Sequence, residues 1–443
     1  MSSVLGLSLQ WRSMGNELYR KFKNQELAPC IAKDKLQEVL NCYHKADDYA
    51  ENDLEKSSAK KNVAVMSEKM MECLVNISGS KSLITFYSKQ SIKYYFEADK
   101  FGRDRDDEWL ISIDTSSLKC WLNIQDLLIV EDVEVRIRDY EFFVQFLLGN
   151  EIRSSAFHII AECYFHLSVS KIADKNYKEA LSHLANCYFP VQEGLKLART
   201  PRGKKVLDTL EGDIQQQISI AESLQALKVA DDLFSQIISN EEEINFDIIW
   251  DIIDKYRRVI ILTREKEIEL EAIASSRIGK IYHKVLKLEN RAKIYFTRTL
   301  ELATTLIPRT MFNEEWYRVA AEGLKGFQDE ERMREDEENR LAREEIMNQL
   351  KDELFDLKKK FEEGKIDFLK FLYKTHPPKN EKHVLGDLPD QPEPGQLKKL
   401  YQKAVVHFHP DKIDISVHGK KWKVLSEEIC KILTSQYEMY KGC

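Results

Sequence analysis

Near the carboxyl end, His409, Pro410 and Asp411 follow three cations, Lys398, Lys399 and Lys403. An imidazole and a carboxylate two residues apart could form an acid–base pair, but such a pair also needs a pocket, a nucleophile and oxyanion donors. The sequence offers none of these beside it. It contains no Gly-rich phosphate loop, no Gly-x-Ser-x-Gly elbow and no His-Glu-x-x-His. With 16 glycines in 443 residues it also lacks the loops of a nucleotide fold. No catalytic residue, no cofactor and no enzymatic activity of its own are therefore expected. The expected chemistry is recognition. An ionised Asp411 on an exposed turn accepts charge-assisted hydrogen bonds from a partner arginine, and the lysines steer the encounter.

A second set, His158, Cys163, His166, His183 and Cys187, has the residue types of a metal site. No pair in it has zinc-finger or zincin spacing, and buried cysteines with hydrogen-bonded helix histidines account for it, so no metal is expected. The eight cysteines, from Cys30 to Cys443, include no Cys-x-x-Cys and read as reduced thiols rather than a disulfide framework.

The elements that must position the first set can be read from periodicity. Leu397, Leu400, Tyr401, Ala404, Val405 and Phe408 form one apolar stripe at helical spacing. Lys398, Lys399, Gln402 and Lys403 lie off that stripe. Pro410 cannot continue the helix and pushes His409 towards extended geometry, so the helix must end there. After a break at Gly419, Trp422, Leu425, Ile429, Leu433 and Tyr437 repeat at helical spacing. Two antiparallel helices joined by an exposed loop bury one face each.

This run resembles helix II, the signature loop and helix III of a J domain, the module of DnaK-type co-chaperones. Lys398, Lys399, Tyr401, Lys403 and Phe408 fall in register with that family's pattern before His-Pro-Asp. The resemblance implies that residues 366–443 are a J domain and that His409, Pro410, Asp411, Lys398, Lys399, Lys403 and Lys412 bind a DnaK-type heat-shock chaperone and trigger its ATP hydrolysis. Two segments can serve as helix I: 366–375, or 381–386 with its Val384-Leu385-Gly386. Helix III lacks the usual Ala-Tyr pair, and the domain ends the chain, as in auxilin-type members. Gln402 and His407 stand where basic residues are common, which leaves a less positive helix II.

Of the ten prolines, only Pro29, Pro190, Pro201 and Pro308 precede residue 376, so residues 1–325 are expected to be almost wholly helical. Asp104–Ile113 is expected to be a loop or irregular. Parts of this region resemble tetratricopeptide repeats: Ile278-Gly279 with Tyr282, then Ala292, Tyr295, Phe296 and Ala303; Met14-Gly15 with Tyr19, then Val39, Tyr43 and Ala46; Ala161 and Tyr164, then Tyr177, Ala180, Leu184 and Ala185. The small residues would let paired helices approach and the aromatics fill the groove. The alternative is an unrelated helical bundle with small residues at its crossings. Arg12 and Asn16, four apart, with Lys61-Asn62 on a later helix, also resemble the clamp by which some tetratricopeptide domains hold an acidic chaperone tail. A solvated Arg–Asn face is the simpler reading of the same residues. The expected fold class is all-α: a tetratricopeptide-like region (1–325), a charged helical connector (326–365) and a C-terminal helical hairpin of J-domain type.

In the connector, opposite charges at Glu330–Arg334, Asp336–Arg340 and Asp356–Lys360 would each support the helix by ~0.2–0.5 kcal/mol. Ile346, Leu350, Leu354, Leu357 and Phe361 make an apolar line that is expected to pack locally. Thr375 to Gly395, rich in Pro, Gly and Asp, reads as a loop.

Net charge is −7 with a pI of about 5.9, and no basic stripe marks the first 325 residues, so no nucleic-acid partner is expected. No run approaches the ~18 apolar residues of a membrane span. Met1-Ser2-Ser3-Val4 has no basic n-region, Ser2 excludes the myristoylation pattern, and Gly442-Cys443 is not a prenylation box. A cytoplasmic protein that carries an unknown client is expected.

Overall fold

Capping side chains or prolines mark the start of several helices of this chain, among them α-helices that begin at Pro29, Asp53, Asp107 and Phe246. In a computed structural model, residues 6–25, 27–239, 245–380, 382–386, 388–389 and 391–441 are described. The terminal segments 1–5 and 442–443 lie outside them, with the expectations placed there. All regular structure among the described residues is helical. The chain divides into two compact units, Met1–Ala321 and Glu322–Cys443.

The first unit contains α1 (Leu7–Phe22), α2 (Pro29–Asp48), α3 (Asp53–Asn76), α4 (Lys81–Phe101), α5 (Asp107–Leu128), α6 (Val133–Phe143) and α7 (Asn150–Ala173). It continues through α8 (Tyr177–Asn186), α9 (Tyr188–Leu197), α10 (Pro201–Ser239), α11 (Phe246–Thr263), α12 (Ile268–Lys284) and α13 (Glu289–Thr305). The division between the units falls inside α14 (Glu315–Gln349). Asn52 caps α3 by accepting from the Glu55 N–H at 2.9 Å, and Asp106 caps α5 by accepting from the Trp109 N–H at 2.8 Å. The second cap corrects the expectation for Asp104–Ile113. Only Gly102–Asp106 is irregular, because the Asp106 carboxylate restarts the helix at once.

Most consecutive helices in this unit pack side by side, and glycines stand at two of the contacts. A β-carbon at Gly15 would stand 2.6 Å from the Tyr43 ring of α2, and one at Gly279 2.5 Å from the Phe296 ring of α13. Both contacts fall in stretches that resemble tetratricopeptide repeats, where small residues and aromatics were expected to meet between paired helices. Between α7 and α8, Ala161 and Leu184 share a buried cluster with Cys187. Polar ties hold neighbouring helices together. Lys60 on α3 bonds Asp47 of α2 at 3.0 Å and Glu97 of α4 at 2.7 Å, and the buried Glu271 of α12 takes Arg298 of α13 at 2.8 Å. Gly279→Ala is expected to destabilise the first unit by ~1–3 kcal/mol, since the Phe296 ring has to leave its place. Chemical denaturation followed by far-UV circular dichroism checks this, and an unchanged midpoint would show that the ring relaxes freely.

The second unit holds the rest of α14, then α15 (Lys351–Glu363), α16 (Lys365–Thr375), α17 (Pro394–His407), a 3-10 turn at Pro410–Lys412 and α18 (Ile415–Lys441). Residues 328–342 of α14 are exposed throughout, as a charged face should be. The ion pairs of the charged stretch, on α14 and α15, differ from those expected. Arg340 bonds Glu337 at 2.6 Å and Lys360 bonds Glu363, both i,i+3, which is the other spacing that puts two side chains on one helix face. The apolar line does pack locally: Leu350, Leu354 and Leu357 join the core built by α16, α17 and α18. Arg343 ties α14 to α18 through Glu428 at 3.2 Å and through Glu427.

Candidate functional site

The stripe on α17 is buried as its spacing requires. Tyr401, Ala404 and Phe408 reach the core, while Leu397, Leu400 and Val405 pack at its edge. Pro394 occupies the first helical turn, where a missing N–H costs nothing. From α18, Leu425, Ile429 and Leu433 face this stripe, with Trp422 and Tyr437 at the margin. Gly419 interrupts α18 with φ 79°, a conformation that glycine adopts without a steric cost. The third element is α16, which buries Phe368, Leu369 and Leu372 in the same core. The Tyr401 hydroxyl donates to the Lys365 carbonyl at 3.0 Å and fixes the start of α16. Of the two candidate segments for this role, 366–375 is the helical one. Residues 382–386 form no helix, although Leu385 reaches the core, and residue 381 lies outside the described residues.

The His409-Pro410-Asp411 turn is anchored from behind. The Phe408 ring is buried, and its carbonyl accepts the Ser426 hydroxyl of α18 at 2.7 Å. His409 is extended (φ −65°, ψ 126°), and Pro410 starts the 3-10 turn. The Asp411 N–H donates to His409 Nδ1 at 3.3 Å. With Nδ1 engaged within the turn, Nε2 is the ring nitrogen available as a donor to a partner. The side chain of His409 is 44% exposed and that of Asp411 87%. Lys399, Lys403 and Lys412 are exposed, and Lys398 is half-buried. Beside the turn, a groove of about 440 Å³ runs between His409 and Pro410 and the α18 residues Glu427, Cys430, Thr434 and Glu438. The arrangement presents one hydrogen-bond donor, one carboxylate and a row of ammonium groups on a rigid corner.

Sequence reasoning missed what lies on the inner side of His407. Its Nδ1 lies 2.6 Å from the Tyr373 hydroxyl, and its ring stacks on His383 at 4.4 Å between centroids, 9° from parallel. Burial, then the nearby His383, Lys412 and Lys403, hold the His407 pKa down from 6.5 to about 4. Burial also raises that of Tyr373, so both groups are neutral at pH 7 and the phenol donates to Nδ1. A histidine where the pattern favours a base was the available signal. Between pH 6.5 and about 4 the unfolded chain binds a proton here that the folded chain refuses. The stability contributed by neutral His407 is therefore whole above pH 6.5 and is lost as pH falls towards 4. Amide exchange of α17 in wild type and His407→Asn, from pH 7 to pH 4, should show the difference between them shrink with acidification. A constant difference would exclude His407 as the titrating group.

The other candidate residues lie in the first unit. Asn16, one of the residues that resemble a clamp, uses its side-chain oxygen to accept from the Tyr43 hydroxyl at 2.8 Å. Arg12 is half-buried near Glu55 and Arg105; burial lowers its pKa, and its Nε has no hydrogen-bond partner among the described residues. Asn62 is half-buried on α3, beside Lys61, which bonds Ser112 at 3.1 Å and lies over the Trp109 ring. The histidines and cysteines of the second set make separate local contacts. Cys187 donates to the Ala161 carbonyl at 3.5 Å, His183 stacks on Tyr164, and His158 lies 3.6 Å from Glu162.

No family model and no curated protein matches this chain. Among solved structures, one described as a circular tandem repeat protein with novel repeat topology and enhanced subunit contact surfaces is similar at 14% identity. That similarity covers 98% of this chain and 88% of the other, with a TM-score of 0.19, too low to carry an argument. Among the described residues, no helix is long and apolar enough to cross a membrane.

Proposed function

We propose that this chain is a cytoplasmic J-domain co-chaperone that stimulates the ATPase of a DnaK-type heat-shock chaperone. The observation that carries the reading is the His409-Pro410-Asp411 corner. It stands exposed at the end of a lysine-bearing helix, while Phe408 and Ser426 lock it to the partner helix. The α16–α17–α18 core supports the same reading, with α16 in the place of helix I. Lys398, Lys399, Lys403 and Lys412 orient the encounter as rim charges do. The first unit recruits a client protein. Its Gly15–Tyr43 and Gly279–Phe296 contacts support a tetratricopeptide-like stack of helix pairs, the architecture that offers extended binding surfaces. Within it, the acidic-tail clamp at Arg12, Asn16 and Asn62 is a subordinate proposal, supported by the unpartnered Arg12 Nε.

Single-turnover ATP hydrolysis by a DnaK-type chaperone, with and without the full chain, tests the reading. Acceleration that saturates with the chain is expected. A folded chain that binds the chaperone without accelerating hydrolysis would instead make this a helical interaction scaffold with a J-like end.

A further inference from the structure

The first unit holds an apolar pocket of about 620 Å³ between the start of α4, the end of α5 and α6. Ile84, Ile124, Leu127, Leu128, Val135 and Phe143 make its walls, and Ile124, Leu128 and Phe143 among them are core residues. The corner from α5 to α6 is held in shape from within, since Arg136 Nη2 donates to the Ile129 and Glu131 carbonyls at 2.8 and 3.3 Å. The buried Ser88 hydroxyl in the lining already donates to the Ile84 carbonyl at 2.8 Å. The charges in the lining are nearly balanced. Lys81 pairs with Glu131 at 2.8 Å, and Lys89 pairs with the buried Asp139 at 2.7 Å. The chain is described without a gap from residue 30 to residue 238, and no other carboxylate of that stretch lines the pocket. Arg138 also lines it, and its guanidinium has no hydrogen bond or ion pair among the described residues. Glu134, four residues earlier on α6, does not reach the lining. Three cations against two carboxylates leave one positive charge, on Arg138.

A hollow with apolar walls and a single unmatched cation selects a ligand of the same plan. Its walls favour a hydrocarbon body, because covering them removes apolar surface from water. The volume lies within the ~300–1,000 Å³ range of small-molecule sites. A planar guanidinium fits one carboxylate through two parallel hydrogen bonds. A neutral hydrocarbon would leave Arg138 unmatched, and a multiply charged anion would meet Glu131 and Asp139 in the same lining. We propose that this pocket binds a monocarboxylic acid with an aliphatic body, its chain against the walls and its carboxylate on Arg138. The proposal does not depend on the co-chaperone reading, since the pocket belongs to the first unit and requires no chaperone and no ATPase.

Calorimetric titration of the full chain with decanoate tests the proposal, kept below the concentration at which the acid forms micelles. Decanol serves as the uncharged match. Saturable 1:1 binding of decanoate is expected, at least about tenfold tighter than that of decanol, or ~1.4 kcal/mol. Arg138→Gln should bring decanoate down to the affinity of decanol and leave decanol unchanged, a pattern that loss of folding does not produce. Arg138→Lys should keep most of the preference for the acid. Val135→Trp, which puts an indole into the pocket, should remove both ligands. No saturable heat would overturn the proposal, as would equal affinity of wild type for acid and alcohol, or binding unchanged by Val135→Trp. Binding seen only to micelles or vesicles would overturn it in favour of a lipid surface. A dimer in sedimentation equilibrium that Val135→Trp dissociates, without decanoate binding to the monomer, would overturn it in favour of a second copy.

Discussion

Replacing His409 with glutamine is expected to abolish the proposed stimulation of a DnaK-type chaperone while leaving the second unit folded. The imidazole's contacts are within its own turn, the 3.3 Å bond from the Asp411 N–H and an approach of 3.7 Å to the Asp411 carboxylate, and its side chain is 44% exposed. The corner is held by other groups: the Phe408 ring, the Ser426 bond to the Phe408 carbonyl and the fixed φ of Pro410. An exposed substitution that leaves such anchors alone changes stability by no more than ~0.5 kcal/mol. On the binding side, the loss is that of a rigid donor at the centre of the proposed contact. Truncations at such centres cost ~2 kcal/mol or more, which is roughly thirtyfold in affinity. Glutamine offers an amide donor, but on a longer and more flexible stem that must be ordered on docking. Single-turnover hydrolysis with each protein, alongside amide exchange of α18 as the folding control, gives the comparison. If the variant stimulated as well as wild type, the turn would not be the point of contact. Wild type that bound the chaperone without stimulating it, with binding unchanged by the substitution, would point to the scaffold function.

The second large effect is expected at Phe368. Its side chain is fully buried on α16 and packs edge-on against Phe361 at 5.2 Å, among Leu357, Leu372 and the α17 and α18 residues of the same core. Phe368→Ala removes a ring from this packing and leaves a cavity that the hairpin cannot fill without moving. The expected cost to the second unit is ~3–5 kcal/mol. Since the chain has two units, global unfolding need not be two-state. The sharper readout is amide exchange resolved by segment, in which α17 and α18 should lose protection together while α3 and α12 keep theirs. Unchanged protection in α17 would mean that the hairpin stands without α16. A neighbouring control is Phe371, which is only partly buried and should cost less.

Much of the second unit was legible from spacing. Leu397 to Phe408 at three- and four-residue intervals required one buried helix face, and Pro410 required its end, because neither depends on what the helix packs against. Gly419 was readable as a break because a φ of 79° suits glycine alone. In the first unit, the small residues Gly15 and Gly279 pointed to close helix approach, and the rings of Tyr43 and Phe296 do occupy the spaces beside them.

What the sequence left open was decided by partners distant along the chain. Residues 366–375 and 381–386 were equivalent candidates for the third helix; α16 took the place because three of its side chains could be buried at once and Tyr401 could bond its first carbonyl. The charged stretch predicted its own exposed face but not which neighbour each charge would choose, since i,i+3 and i,i+4 partners compete within fractions of a kcal/mol. Asp104–Ile113 looked irregular because local polarity hides a cap, and Asp106 became one only when the chain turned at Gly102. The Tyr373–His407–His383 contact was invisible in one dimension. These three residues lie far apart along the chain, and only the closure of α16, α17 and α18 on one core brings them together. Periodicity reports which face of a helix avoids water, whereas contact between distant side chains is a property of the packed chain.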